Sequence, residues 1–176
     1  PKFNNEIPCA HYLTFSCFKR LWLFKSPALY QWFLENLDRV RHRHPFKLYG
    51  FVLMPNHVHL LIFPTVQNPI PSLLTALKGP YAQKALPYLK EYQPEIYKKL
   101  KVLEKQGESW RFWQAGGGYD RYIYSDEACL HTLNYMHLNP VKKELVAAAV
   151  DWKWSSARYY ETGKADLISL DKPDWR

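Results

Sequence analysis

Long apolar runs are missing from this 176-residue chain. No stretch of about 18 apolar residues occurs, which excludes a membrane-spanning helix. Cysteine is nearly as scarce. Cys9, Cys17 and Cys129 form no CxxC pair and supply no disulfide framework, so the chain reads as one that folds in a reducing, cytoplasmic environment. The start, PKFNNEIPCAHY, carries no apolar segment behind a basic flank and does not read as a signal peptide. Glycine is limited to 7 residues, and the run Gly116 to Gly118 is followed by no Lys-Ser or Lys-Thr pair. Neither a P-loop nor a dinucleotide fingerprint is therefore present. There is no internal repeat and no low-complexity tract.

What is abundant is aromatic and basic. Trp 7, Tyr 13 and Phe 9 are more rings than one core of this size hides, so some are available to stack on bases. The formal net charge is +8, unevenly placed. Residues 1–107 hold 15 Lys or Arg against 6 acidic groups, whereas residues 108–176 hold 9 against 10. A basic body with a near-neutral end suits a phosphate-rich partner on one side, although a well-solvated basic surface explains the same numbers.

Periodicity orders the elements. Residues 10–18 alternate as a strand. Ser26 and Pro27 open an amphipathic helix over 27–43, with Leu29, Phe33, Leu37 and Val40 on one face. Residues 46–54 and 57–63 read as two strands joined at Pro55-Asn56. Beyond a Pro-marked loop, 71–86 read as a helix interrupted at Gly79-Pro80, followed by a charged helical segment over about 91–106. Residues 119–124 form a last strand. Ser125 caps a helix that runs to Asn139-Pro140, and a short helix and an aromatic tail follow. The order strand, helix, strand, strand, helices, strand is an α+β, ferredoxin-like split βαβ plan: a four-stranded antiparallel sheet with helices mainly on one face, plus a C-terminal helical extension.

One stretch of that plan runs against its surroundings. In LMPNHVHLLIF, His57 and His59 stand two apart and share one strand face. Imidazoles are poor core fillers because each leaves a polar nitrogen needing a partner. A metal pair is one explanation, and two solvated histidines another. Far along the chain, Tyr135 and Asn139 are four apart and share a helix face. A phenol can be a covalent nucleophile, and an amide oxygen can complete a hard-metal site. Taken alone, the two also read as a packing aromatic and a helix-end residue. His137, two positions from Tyr135, points away from it.

Together, MPNHVHLLI, the segment FWQ to GGGYDR, the block YMHLNPVKKELV and the tail DWKWSSARYY resemble the REP-associated tyrosine transposases. These are single-tyrosine transposases, similar to the IS200-like group, within the nuclease superfamily named for a histidine–hydrophobic–histidine motif. The resemblance spans residues 9 to 160 in order. It implies that His57 and His59 are metal ligands, with Asn139 at the position of a third, often glutamine in relatives. It implies that Tyr135 attacks single-stranded DNA, leaving a 5′-phosphotyrosine link and a free 3′-hydroxyl at palindromic hairpin repeats. The implied ion is Mg²⁺ or Mn²⁺, although two imidazoles on their own favour zinc. Candidate phosphate contacts are Lys19, Arg20, Arg39, Arg41, Arg43, Lys78, Lys84, Lys142 and Lys143. Trp152 and Trp154 read as anchors for the tail.

The expected organisation is a nuclease domain over 1–140 with an extension, 141–176, packed on it. Two rival functions use the same residues differently. A zinc-dependent nuclease or hydrolase would need the histidines but not Tyr135, and a non-catalytic ferredoxin-like nucleic-acid-binding module would need neither. The expected partner is DNA, not a membrane. Whether one chain or a homodimer assembles the site stays open at this level.

Overall fold

The computed structural model describes residues 8–65 and 70–174. The first seven residues, which begin the stretch PKFNNEIPCAHY, lie outside the described residues, as do most of the Pro-marked loop (66–69) and the last two positions of the tail. Four strands form one antiparallel sheet: β1 (Ala10–Ser16), β2 (Phe46–Met54), β3 (His57–Pro64) and β6 (Tyr119–Ile123), in the order β2-β3-β1-β6. This is the split βαβ arrangement that the element order predicts.

Alternation divides the sheet into two faces. Leu13 and Phe15 of β1, Leu48, Phe51 and Leu53 of β2, and Val58, Leu60 and Ile62 of β3 join the larger core. That core is closed by α1 (Pro27–Arg43) and α2 (Ile70–Tyr92) through Leu29, Phe33, Leu37, Leu73, Leu77 and Tyr81. The opposite face has a smaller cluster, in which Tyr12, Tyr49, Val52, Met54 and Leu61 meet Cys129, Leu133 and Met136 of α4 (Asp126–His137). Helices thus cover both faces, two on one and the tyrosine-bearing α4 on the other. His57 and His59 lie on the α4 side because their strand neighbours Val58 and Leu60 point into the larger core.

A β-bulge shapes the seat of α4. The β2–β3 register shifts between Leu48 and Gly50, so Tyr49 is the extra residue. A Cβ at Gly50 would lie 2.5 Å from Leu133 Cδ2 and 3.2 Å from Ser156 Oγ. Glycine here lets the helix approach the strand.

Several expectations are corrected. The helix over 71–86 is one continuous element to Tyr92, not interrupted at Gly79-Pro80. Pro80 and Pro87 are solvent-exposed, so the helix carbonyls they leave unbonded can face water. The charged segment 91–106 is helical only in α3 (Pro94–Lys99). It then forms a hairpin of β4 (Lys101–Glu104) and β5 (Gly107–Trp110), turning at Lys105-Gln106 into Gly107, whose φ is +125. The first strand ends at Ser16, and Phe18–Arg20 form a 3₁₀ turn. Ser26 stands at the start of α1 but makes no cap, and its hydroxyl is buried without a partner, whereas Ser125 Oγ accepts from Ala128 N at 3.1 Å.

The C-terminal residues pack on the body. Past α5 (Asn139–Lys142) and a 3₁₀ turn, Trp154 stacks on Tyr30 at 4.7 Å and Trp152 Nε1 donates to Leu53 O at 2.9 Å, before α6 (Ala157–Thr162). Both rings face the protein.

Because α4 sits directly on Gly50, Gly50→Ala overfills the contact with Leu133. Urea unfolding of this variant is expected to show a loss of about 1–3 kcal/mol, the usual size of overpacking; unchanged stability would mean that α4 can lift without cost.

Candidate active site

The pairing of β1 with β3 builds the site. Thr14 stands opposite His59 and Ser16 opposite His57. His59 Nδ1 lies 2.8 Å from the Tyr12 hydroxyl and 3.1 Å from Thr14 Oγ1. His57 Nδ1 lies 2.6 Å from Asn56 Oδ1, at the start of the strand. The two Nε2 atoms then face each other at 2.8 Å.

Proton placement follows from these partners. An amide oxygen only accepts, so His57 carries its proton on Nδ1 and turns a lone pair inward on Nε2. Hydroxyls can donate or accept, so Tyr12 and Thr14 suit either tautomer of His59. With the proton on Nε2, His59 donates to His57. With it on Nδ1, both Nε2 lone pairs converge on one point, which calls for a cation. A polar partner behind each ring is the usual support of metal-binding histidines. Two of the expected ligands are thereby brought together in a form that fits a divalent ion.

The third is placed differently. Asn139 is buried at the start of α5, and its Nδ2 donates to Tyr135 O at 3.3 Å. Among the described residues, no group of three or more His, Cys, Asp or Glu side chains is arranged to hold a metal.

Tyr135 belongs to the same chain and the same face. Its ring meets Tyr12 edge-on with centroids 6.4 Å apart, and Tyr12 in turn stacks parallel to His59 at 5.8 Å. One ring therefore separates Tyr135 from the histidine pair. The two phenols differ in access: Tyr12 is 5% exposed and Tyr135 46%. Burial, more than any neighbouring charge, pushes the Tyr12 hydroxyl up from its ordinary value, so it stays a protonated support.

Cations ring this face. Lys142 Nζ lies 4.6 Å from the Tyr135 ring centre and Arg121 lies over Tyr12 at 5.5 Å. Arg20 and Lys143 both bear on His57. Lys19 and Arg20 each hold φ at 53, left-handed conformations that cost a non-glycine residue about 1–2 kcal/mol. Bonds from Arg20 N to Cys17 O (2.9 Å) and from Lys19 N to Gln114 Oε1 (3.1 Å) help to hold the turn. Beside it, Thr14, Ser16, Arg20, Lys78, Gln114 and Tyr119 line a cleft of about 460 Å³. Lys78 Nζ donates to Gly116 O at 3.0 Å at its wall, and burial draws that ammonium below its ordinary value.

The remaining candidates stand elsewhere. Arg39, Arg41 and Arg43 close α1, near Phe46 and Pro64, at the end of the sheet remote from the Met54–His57 end. Arg41 is engaged with Ser169, Asp38 and Asp171. Lys84 lies over Trp32 at 4.4 Å, on the side of the two large helices. Charge alone did not separate these from the cations at the site.

Known proteins resemble this chain in sequence and in fold. Residues 9–116 match the family described as IS200-like transposase. A Haemophilus influenzae protein named as a REP-associated tyrosine transposase is 27% identical over 132 residues, covering 73% of this chain and 67% of that one. A solved REP-associated tyrosine transposase bound to a REP hairpin superposes with a TM-score of 0.67 at 18% identity, over 96% of this chain and 90% of that one. The family match, over more than half of the chain, defines a transposase, an enzyme that cuts and rejoins DNA. The chain belongs to the IS200-like transposase family. Among the described residues no helix is long and apolar enough to cross a membrane.

The buried imidazoles make stability depend on pH. Burial, then Arg20 and Lys143, hold His57 down to about 4. Burial, then His57, holds His59 at about 3, and burial holds His137 at about 4. All three are neutral in the fold at pH 7, while unfolded histidines take up protons near pH ~6.5. Between about 6.5 and 4 the unfolded state binds more protons, so stability must fall as the pH falls through that window. Urea midpoints of the metal-free protein are expected to drop steadily from pH 7 to 4.5; a flat profile there contradicts the buried, neutral assignment.

Proposed function

We propose that this protein is a metal-dependent single-stranded DNA endonuclease and strand transferase in which Tyr135 is the nucleophile. The observation that carries the proposal is the placement, within one chain, of an exposed tyrosine one ring away from two neutral, inward-facing histidines.

The Tyr135 oxygen attacks the scissile phosphorus. Its bond to phosphorus forms as the bond to the 3′-oxygen of the preceding nucleotide breaks, giving a 5′-phosphotyrosine link. The phenol gives up one proton as it attacks and the departing oxygen takes up one, becoming a free 3′-hydroxyl with no net change in protons. Because the phosphodiester becomes a phosphotyrosyl diester, a 3′-hydroxyl can later attack it and rejoin strands without a nucleotide cofactor. That accords with the absence of a P-loop. Arg20, Lys142 and Lys143 hold the phosphate against the site and offset charge growing on its oxygens. Tyr12 and Thr14 fix the ring of His59, and Asn56 fixes that of His57.

His57 and His59 would hold a divalent ion, proposed as Mg²⁺ or Mn²⁺, with the Asn139 amide oxygen as the third protein ligand. When bound, such an ion polarises a non-bridging phosphate oxygen and stabilises the developing charge. The substrate class follows from the relatives. One is named for REP elements and another was solved on a REP hairpin, so hairpin DNA with an unpaired flank is the proposed substrate here. The cleft beside Arg20 and Lys78 is the proposed path of that unpaired strand.

Labelled hairpin DNA incubated with the protein and Mg²⁺ or Mn²⁺, then run on a denaturing gel, is expected to give a covalent protein–DNA band that Tyr135→Phe abolishes. Undiminished cleavage by Tyr135→Phe, especially with Zn²⁺, would instead establish hydrolysis without an intermediate. Binding without cleavage under every metal would leave a binding module. Separately, Arg20→Ala and Lys143→Ala are each expected to lower the salt dependence of single-strand binding by about 0.7 in log–log slope, one phosphate contact each. An unchanged slope in both would place the strand elsewhere.

A further inference from the structure

The cleavage chemistry leaves a buried histidine and a serine pair unused. His137 and Ser156 are 7% and 2% exposed, and His137 Nε2 lies 2.8 Å from Ser156 Oγ. The serine belongs to residues 152–156, which run along the outer edge of β2. Leu53 N donates to Trp154 O at 2.8 Å and Ser156 N to Phe51 O at 2.9 Å, with an antiparallel bridge between Val52 and Ser155. This strap is fastened by the Trp154–Tyr30 stack and by the Trp152 indole bond to Leu53 O. It is effectively a short fifth strand.

The serine hydroxyl is fully used. It accepts from Phe51 N at 3.0 Å and donates to Phe51 O at 3.1 Å, which leaves one lone pair for an N–H from His137. A neutral imidazole with its proton on Nε2 satisfies every partner. With the proton on Nδ1, the serine hydroxyl turns from Phe51 O, which keeps Ser156 N as its donor, and donates to Nε2 instead. In either tautomer the bond is directional, and both its ends are sequestered from water.

Its mechanical consequence comes from helix geometry. Tyr135 and His137 are two residues apart on α4, so they project from roughly opposite sides of the helix. The rest of the α4 seat is mainly apolar, Leu133 and Met136 against Gly50 and the sheet. One further directional bond, Arg121 Nη2 to Thr132 Oγ1 at 2.8 Å, lies more than a turn before His137. Apolar packing resists lifting more than it fixes rotation or sliding, because it is non-directional. A directional bond on the side facing away from the phenol sets both.

We propose that the His137–Ser156 bond is a latch that fixes the axial position and rotation of α4, and so the reach of the Tyr135 hydroxyl toward a phosphate held beside His57 and His59. The C-terminal strap is thereby a positioning element of the cleavage site, and His137 a positioning residue that touches no substrate. This rests on Tyr135 being the nucleophile. It also accounts for the Trp-x-Trp-Ser-Ser segment, whose tryptophans fasten the strap to the body while its second serine fastens the helix to the strap.

The test uses the full chain with labelled hairpin DNA and Mn²⁺, comparing the unaltered protein with His137→Leu, His137→Gln and Ser156→Ala. Single-turnover formation of the tyrosine adduct and equilibrium DNA binding are measured on each. Displacement of a reacting group by about an ångström costs on the order of 100-fold. His137→Leu and Ser156→Ala are therefore expected to slow adduct formation by about 10- to 100-fold while DNA binding stays within about twofold. His137→Gln, whose amide N–H can replace Nε2–H, is expected to recover most of the rate. If His137→Leu does not fold, Ser156→Ala carries the comparison, since it removes one oxygen and leaves the strap's backbone bonds in place. Undiminished adduct formation in Ser156→Ala overturns the latch alone. So does a loss of rate matched by an equal loss of DNA binding, or a glutamine variant no faster than leucine. Absence of any adduct in the unaltered protein overturns the nucleophile assignment and the latch with it.

Discussion

The register between β1 and β3 is the constraint on which the rest of the structure depends. Thr14 opposite His59 and Ser16 opposite His57 place four polar groups on one face, while Leu13, Phe15, Val58, Leu60 and Ile62 go to the other. A slip of one residue would exchange the two sets, burying both histidines under α1 and α2 and turning the apolar residues toward α4. The large apolar face forbids that slip. Residues with no chemistry of their own thus hold the chemical residues in place, and the site needs no separate device to fix its register.

The two faces divide labour by how much they bury. The face under α1 and α2 takes Phe33, Phe51, Tyr81 and a dense set of leucines, enough to stabilise the domain. The face under α4 is narrower, and beyond Met136 it opens into tyrosines, histidines and cations. It can tolerate features that a core could not: two neutral imidazoles with facing nitrogens, and two consecutive cationic residues in left-handed backbone. Such features persist where the surroundings over-determine them and tend to cluster at functional sites. Here the 3₁₀ turn is held through Cys17 and Gln114, and the imidazoles through Tyr12, Thr14 and Asn56.

Much of this was legible in the sequence because it is local. Strand alternation puts His57 and His59 on one face, and the order of elements implies the sheet, whereas the helical spacing of Tyr135 and Asn139 misses that α4 stops at His137 and Asn139 opens α5. What was not legible depends on pairing across long separations. Tyr12 and Thr14 support His59 across 47 and 45 residues, and nothing near them in sequence announces it. The cations could be counted but not sorted, since Arg41 and Arg20 look alike until one is seen bound to Asp38 and Asp171 and the other beside His57. Helical propensity in 91–106 hid the β4–β5 hairpin, which depends on a positive φ at Gly107. Continuity through Pro80 and Pro87 depends on an outer helix face that only the packing defines.

The β2 edge shows how fold and site meet. An exposed edge strand is a liability, because its unpaired N–H and C=O groups can recruit another chain. Residues 152–156 cover part of that edge with two backbone bonds. The same cover brings Ser156 under the last turn of α4, where Gly50 has already let the helix approach. The bulge at Tyr49 is what permits this, because it turns both Tyr49 and Gly50 toward α4 and interrupts the ladder where the helix must come close. Closing the edge and seating the tyrosine helix are consequently one packing problem. Bulge, strap and helix meet in one set of contacts, Gly50 against Leu133 and Ser156 against His137.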